Sequence, residues 1–334
     1  MISIVVCSRN EADFQALQEN MQASAGVPCE WIRIDNSRGE HSIFSAYNEG
    51  MRRSTGDLLC FAHEDIRMHT QGWGKLCGQY FREEPGLGLL GVIGGLYFPA
   101  DADWRAFHAY RRGRLIQRFA TLEPSPRRFS FRLGPGREQH RLTPVAAVDG
   151  MWMVIPATLK GQIHFDENNY SPFDLYDTDL ALQIHAAGYR VGIAGDILIE
   201  HFSTGSFSPS YFDSLLRCLE KWNTLLPVDS RSGPAPTDSA AAMEDFRKVK
   251  SAELSARARL AEGRKDFTSD EKAVIRTGVI LFHHIYEKTS PRIADSLREI
   301  DRSLADGWIT REEARTFRTK TRLYHTLLKP FVHD

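Results

Sequence analysis

Hydrophobic residues fall in short solid runs at the start of this chain, and each run ends on a cluster of polar residues. Residues 2–7 (ISIVVC) form the first run and stop at Ser8-Arg9-Asn10-Glu11. A run of that density reads as a buried parallel strand followed by a polar loop. Residues 12–23 are spaced like a helix, and residues 31–34 form a second short strand ending at Asp35-Asn36-Ser37. A second helix covers 42–54 (SIFSAYNEGMRRS). Gly56 then introduces a third apolar strand, 57–62, which ends at His63-Glu64-Asp65. Strands alternating with helices predict a doubly wound α/β sheet. Ligands in such sheets bind outside the carboxyl ends of the strands, so the three polar clusters are expected to face one crevice.

The pattern continues with a helix over 70–84 and a glycine-rich strand over 88–97. It breaks down between 101 and 144, a basic insertion punctuated by Pro and Gly that carries Arg105, Arg127, Arg137 and Arg141 among other arginines. Such a segment is either a solvated loop or a device that holds phosphate or an anionic acceptor. Strand character returns over 145–155, around Asp149-Gly150. Residues 173–206 then place Asp177 and Asp179 at the start of an apolar helix closed by Gly188. Two short strands follow, 189–193 and 197–199, and the second delivers Glu200 and His201 into a Ser/Thr/Gly loop. Acids at a helix start suit dipole compensation as well as chemistry.

A helix over 211–226 closes the first domain, 1–226. Residues 227–239 read as a Pro/Ser/Gly linker, and 240–334 as a separate helical module. Thr268 with Glu271 and Thr310 with Glu313 have capping-box spacing, and Ser290-Pro291 reads as an N-cap with a first-turn proline. The pair His283-His284 sits in an apolar helical run and reads as packing. Trp152 suits the core better than a sugar platform.

Composition narrows the function classes. Of 334 residues, 25% are charged and 42% hydrophobic, with a net charge of −1, so no global field points to nucleic acid or a membrane. Five cysteines without CxxC spacing suit reduced thiols in a cytoplasmic protein rather than disulfides or zinc. No run reaches the roughly 18–20 apolar residues that span a bilayer.

Three motifs then combine: His63-Glu64-Asp65 at a strand end, Tyr176-Asp177-Thr178-Asp179 opening a helix, and Glu200-His201 ending a late strand. A divalent ion on a carboxylate and a histidine clamps a diphosphate and compensates charge on a leaving nucleotide. A second, unligated carboxylate takes a proton from an attacking hydroxyl. With Ala46-Tyr47-Asn48-Glu49-Gly50, Val148-Asp149-Gly150, Gly188-Tyr189-Arg190-Val191 and His201-Phe202-Ser203, the chain resembles the GT-A-fold glycosyltransferases, family 2-like, over roughly residues 1–210. It is most similar there to a bacterial subgroup with a histidine-containing D-x-D motif.

The resemblance implies a GT-A doubly wound mixed sheet with a C-terminal all-α module, and a role for each matching residue. Asp65 and His201 would bind Mn²⁺ or Mg²⁺, Asp177 would be the general base, and Asp179 would support its loop. Ser8, Asn10, Glu11, Asp35, Tyr47, Asn48, His63, Glu64 and Asp149 would line the donor side, with Asp149-Gly150 open to a plain turn as well. Two positions depart from the family pattern: His63 stands for the first Asp of D-x-D, and Tyr176 for the usual Glu before the base.

The expected reaction is transfer of a hexose-type sugar from a nucleotide-sugar, by default a UDP-sugar, to a glycan or other hydroxyl acceptor, with inversion. A nucleotide-sugar-binding protein without turnover is the main alternative. A nucleotidyltransferase is the lesser one, because CSRNE supplies no glycine for a phosphate loop. No nucleic-acid partner or transmembrane segment is expected. The apolar helical run over 274–285 would pack on the catalytic domain, lid the acceptor side or form a homodimer.

Overall fold

The strand Ile2–Ser8 shows how the layers are built. Ile2, Ile4 and Val6 join one core cluster with Phe14, Leu17 and Met21 of helix α1 (Glu11–Ala25). Side chains alternate along a strand, so Val5 points the other way and meets α2 (Ile43–Arg53). A Cβ on Gly50 of α2 would stand 2.1 Å from Val5 Cγ1, so only glycine permits this approach. Helix α3 (Trp73–Glu83) completes the first face with Trp73, Cys77 and Tyr80.

The computed structural model describes residues 1–106, 110–112, 114–120, 128–133, 141–203, 209–230, 239–264, 266–289 and 293–323. Its main sheet has seven strands, in the order Leu142–Val145, Arg190–Ala194, Leu87–Gly91, Trp152–Pro156, Leu58–Ala62, Ile2–Ser8 and Cys29–Asp35. Ile2–Ser8 runs parallel to both of its neighbours, whereas Trp152–Pro156 runs antiparallel to both of its own. The sheet is therefore mixed, in agreement with the expected fold class. Helix α4 (Tyr176–Ala186) leads through Gly188, at φ +83°, into Arg190–Ala194, so the predicted left-handed stop is present.

A second sheet pairs Leu198–His201 antiparallel with Ile66–Met68 and parallel with Arg114–Ala120. The antiparallel register sets His201 opposite Ile66, which brings the late histidine beside Asp65.

Two expected boundaries differ. The strand predicted over 88–97 is three pieces. Leu87–Gly91 stays in the main sheet, Ile93–Gly95 pairs with Ala147–Val148 and Tyr110–Arg112, and Tyr97–Phe98 pairs with Val228–Asp229. Apolar runs with glycines at 88, 91, 94 and 95 carry no mark of where pairing changes sheet. Helix α5 (Pro209–Lys221) stops short of 226, and the first residues of the predicted linker are pinned as a strand. Residues 231–238, Ser290-Pro291, Arg127 and Arg137 lie outside the described residues.

The chain divides into two compact units. One comprises Met1–Gln117, Arg132–Ser203 and Ser208–Phe246, and the other Arg118–Phe131, Thr204–Phe207 and Arg247–Asp334. The division falls inside α6 (Ser239–Ala261). Within the second unit, α7 (Ser269–Thr289), α8 (Ile293–Ala305) and α9 (Arg311–Leu323) contribute Ile275, Val279, Ile300, Ala314 and Phe317 to their own core. His283 belongs there too: it hydrogen-bonds Ser303 Oγ at 3.0 Å and lies against Phe317, as a packing histidine should.

Candidate active site

Three strand ends converge on His63, Asp65 and His201. One potential ligand atom from each lies within 4.8 Å of the others. His63 Nδ1 is 3.8 Å, and His201 Nε2 3.6 Å, from Asp65 Oδ1. The backbone fixes these positions: His63 N donates to Met151 O, and Phe202 N donates to Asp65 O, each at 3.0 Å. Burial raises the Asp65 carboxyl, but hydrogen bonds and charge from His201, Ser203 and His63 outweigh it and hold the group well below the usual carboxylate range. Burial lowers the His63 imidazole, and His201 adds to that, against the pull of Asp65 and Asp149. An anionic carboxylate beside an imidazole that resists protonation is the state a divalent cation requires.

Tyr176 explains its own departure from the family pattern. Its Oη is 2.5 Å from His63 Nε2, which orients the ring so that Nδ1 turns toward Asp65. Tyr176 also lies over Gly150, where a Cβ would stand 2.2 Å from its Oη. The glycine of Val148-Asp149-Gly150 is therefore required by the tyrosine, and the two motifs are halves of one contact. Leu175, just before it, is buried at φ +62°, a conformation costing about 1–3 kcal/mol in a non-glycine residue. That turn sets Tyr176 against His63 and Asp177 against Arg105.

Asp177 is 5% exposed and held by three donors. Its Oδ2 accepts from Arg105 Nη2 at 2.9 Å and from Gly150 N at 3.0 Å, and its Oδ1 from Thr178 N at 2.7 Å. Burial pushes its carboxyl above the usual range, Arg105 opposes this, and Asp149 adds to it. Asp149 is half-buried and accepts from Met151 N. Asp179 is buried and ties α4 to the end of α5. It accepts from Tyr170 Oη, Lys221 Nζ, Trp222 Nε1 and Gln183 Nε2, all at 2.7–2.8 Å.

The first loop is organised from the opposite side. Glu64 accepts from Arg9 N at 3.1 Å and Asn10 N at 3.3 Å, tying the loop to the strand end that carries Asp65. Asn10 caps α1 by accepting from Ala12 N and Asp13 N. Ser8 is buried and Glu11 pairs with Arg33. Asp35 is exposed and accepts from Ser37 N at 3.0 Å. Tyr47 lies deeper, and Asn48 is half-buried. Tyr47 is fully buried among Phe61, Phe165 and Tyr176, and Asn48 exchanges hydrogen bonds with the backbone of Phe165.

Residues 3–203, well over half of the chain, match the profile of the Glycosyltransferase like family. The chain belongs to that family. Its mixed sheet carries most of the family-like motifs at strand ends or helix starts, and residues 46–50 lie inside α2. No curated protein matches the chain in sequence. Among solved structures it is similar to GalNAc-T7 with UDP, GalNAc and Mn²⁺, at 9% identity and a TM-score of 0.43, covering 74% of this chain and 54% of that one. The chain thus spans about half the length of that transferase. It is also similar to residues 1–349 of S. aureus TarS in complex with UDP-GlcNAc, at 12% identity and a TM-score of 0.39, covering 97% and 91%.

For this glycosyltransferase-family chain, sequence reasoning passed over two features of the site. Arg105 stands in sequence among the arginines of the insertion, yet its largely buried guanidinium sits on the acid of the helix motif. Phe173 is 56% exposed, with its ring 5.7 Å from His63 and 5.6 Å from Tyr176. Its one available signal was an apolar residue in a Pro/Asp turn directly ahead of the motif.

Proposed function

We propose that this chain is a metal-dependent glycosyltransferase that moves a sugar, of hexose type, from a nucleotide-sugar to a hydroxyl acceptor with inversion. The observation that carries the reading is the link from His63 through Tyr176 to Asp177, which sets a cation-ready cluster beside a separate buried acid. A UDP-sugar is the donor we favour, in keeping with the UDP and UDP-GlcNAc of the two transferase structures.

His63, Asp65 and His201 would hold the divalent ion, and two imidazoles with one carboxylate suit Mn²⁺ better than the oxygen-preferring Mg²⁺. When bound, the ion supplies Lewis-acid stabilisation of charge on the departing diphosphate. Asp177 takes the proton of the acceptor hydroxyl as the acceptor oxygen bonds to the anomeric carbon. The bond from that carbon to the diphosphate breaks, and its electron pair leaves with the nucleotide. Asp179 and Lys221 hold the helix that presents Asp177. Ser8, Asn10, Glu11, Glu64 and Asp35 form the nucleotide side, supported from beneath by Tyr47 and Asn48, and Asp149 meets the donor sugar. The five cysteines are free thiols, which suits a cytoplasmic setting. No described helix is long and apolar enough to cross a membrane.

Calorimetric titration of UDP with and without Mn²⁺ tests this. Asp65→Ala is expected to abolish the Mn²⁺-dependent part of the affinity. Full metal-dependent affinity in that variant would remove Asp65 from the site and the reading with it.

A further inference from the structure

Arg105 arises from the stretch that breaks the α/β pattern, yet its side chain is anchored on every side. Nη2 donates to Asp177 Oδ2 at 2.9 Å, and Nη1 to Tyr211 Oη at 3.0 Å and Thr178 Oγ1 at 3.4 Å. The guanidinium carbon lies 4.2 Å from the ring centre of Trp104, whose Nε1 donates to the same Thr178 hydroxyl at 3.2 Å. Asp103, fully buried, accepts from Arg105 N at 2.7 Å and from the Tyr211 hydroxyl. The helix start, the 103–105 turn and α5 thus close a cage around one cation.

Among the described residues, the groups facing Asp177 are Arg105, Asp149, Tyr47, Tyr176 and Tyr211, and burial keeps the three phenols protonated. Arg105 is the cation among them. A buried carboxylate without it would bind a proton and could no longer accept one from a hydroxyl.

We propose that Arg105 is the positioning residue of the active site, fixing Asp177 Oδ2 and keeping the carboxylate ionised so that Oδ1 is the oxygen that meets the acceptor hydroxyl. This rests on the assignment of Asp177 as base. The guanidinium is suited to the task because it never deprotonates and its planar fork serves Asp177, Tyr211 and Thr178 at once.

The test reads Asp177 directly and needs no turnover. Carboxyl ¹³C chemical shifts of aspartate-labelled protein are followed through a pH titration, with Asp177→Asn assigning the signal. Arg105→Gln is expected to raise the Asp177 midpoint by about 1–3 pH units, the usual effect of an opposite charge at this range. Arg105→Lys, which keeps a charge but loses the fork, is expected to fall between the two and carries the test if Arg105→Gln does not fold. A midpoint at or below the wild-type value in a folded variant overturns the role of Arg105. Sugar transfer by Asp177→Asn decides separately whether Asp177 is the base, so the two ideas fail by different measurements.

Discussion

Asp177 carries the sharpest consequence at the scale of one residue. In Asp177→Asn the carbonyl oxygen can keep the bonds from Arg105 and Gly150 N, and the new amide group then faces the N–H of Thr178. That leaves a buried donor unpaired, a loss of about 1–3 kcal/mol in stability. Metal-dependent UDP affinity should nevertheless survive, because the His63, Asp65 and His201 cluster is untouched. Transfer should fall by roughly 10²–10⁴, the usual span for a lost general base. Near-normal transfer would move the base elsewhere, and Asp149 is the stronger candidate because Asp179 is buried under four donors. Asp65 and His201 were legible as a pair because polar clusters follow the apolar runs, whereas His63, expected on the donor side, joins them only in the structure. Arg105 was not, since an arginine that pairs with a carboxylate is indistinguishable in sequence from one that meets water. Nor was the service of Tyr176 to His63, a contact across 113 positions of chain.

Elements were legible wherever a local rule sets them. The alternation of strand and helix over the first sixty residues is present, since buried strands must be apolar along their length and each helix needs one apolar stripe. Strand exchange between sheets was not legible, because it depends on which partner wins an edge. The helical unit shows the same contrast in its caps. Thr268 N donates to Glu271 Oε2 at 2.6 Å and Glu271 N to Thr268 Oγ1 at 3.3 Å, and Thr310 with Glu313 repeats the exchange. The contacts of Glu271 with Ser255 and Arg259 were invisible in the spacing.

Hydrogen bonds from Ser255 and the Thr268 N–H, aided by Arg259, lower the Glu271 carboxyl to about 2. Its unfolded value is about 4.3. A carboxyl lowered on folding stabilises the fold fully above its unfolded value and loses that contribution as pH falls toward the folded one. Glu271→Gln should therefore be less stable than wild type at neutral pH, with the gap closing between about pH 4.5 and 2. Thermal melts followed by circular dichroism at several pH values check this. A gap independent of pH would show that Glu271 acts through shape alone.

The molecule as a whole poses a question of where the catalytic unit stops. Composition places a linker at 227–239, but Val228–Asp229 pairs with Tyr97–Phe98, and Ser230 N donates to Leu96 O at 2.8 Å. Beyond it, Met243 is buried with its sulfur 3.5 Å from Asp103 N, and Phe246 packs edge-on against Phe212 at 6.2 Å. Asp103 belongs to the cage around Arg105, so the first turns of α6 brace the floor of the site. A chain cut after Phe246 keeps these contacts, whereas one cut after residue 226 loses the strand pair and both side chains. Removing a packed Phe and Met typically costs a few kcal/mol each. The 1–246 chain is therefore expected to melt higher than the 1–226 chain and to bind UDP with Mn²⁺. Equal melting of the two would place the end of the unit at 226. Light scattering on the same proteins tests the homodimer, one of the three roles expected of the C-terminal helices. A dimeric full chain beside a monomeric 1–246 chain would put the interface beyond Phe246, and a monomeric full chain would remove the dimer.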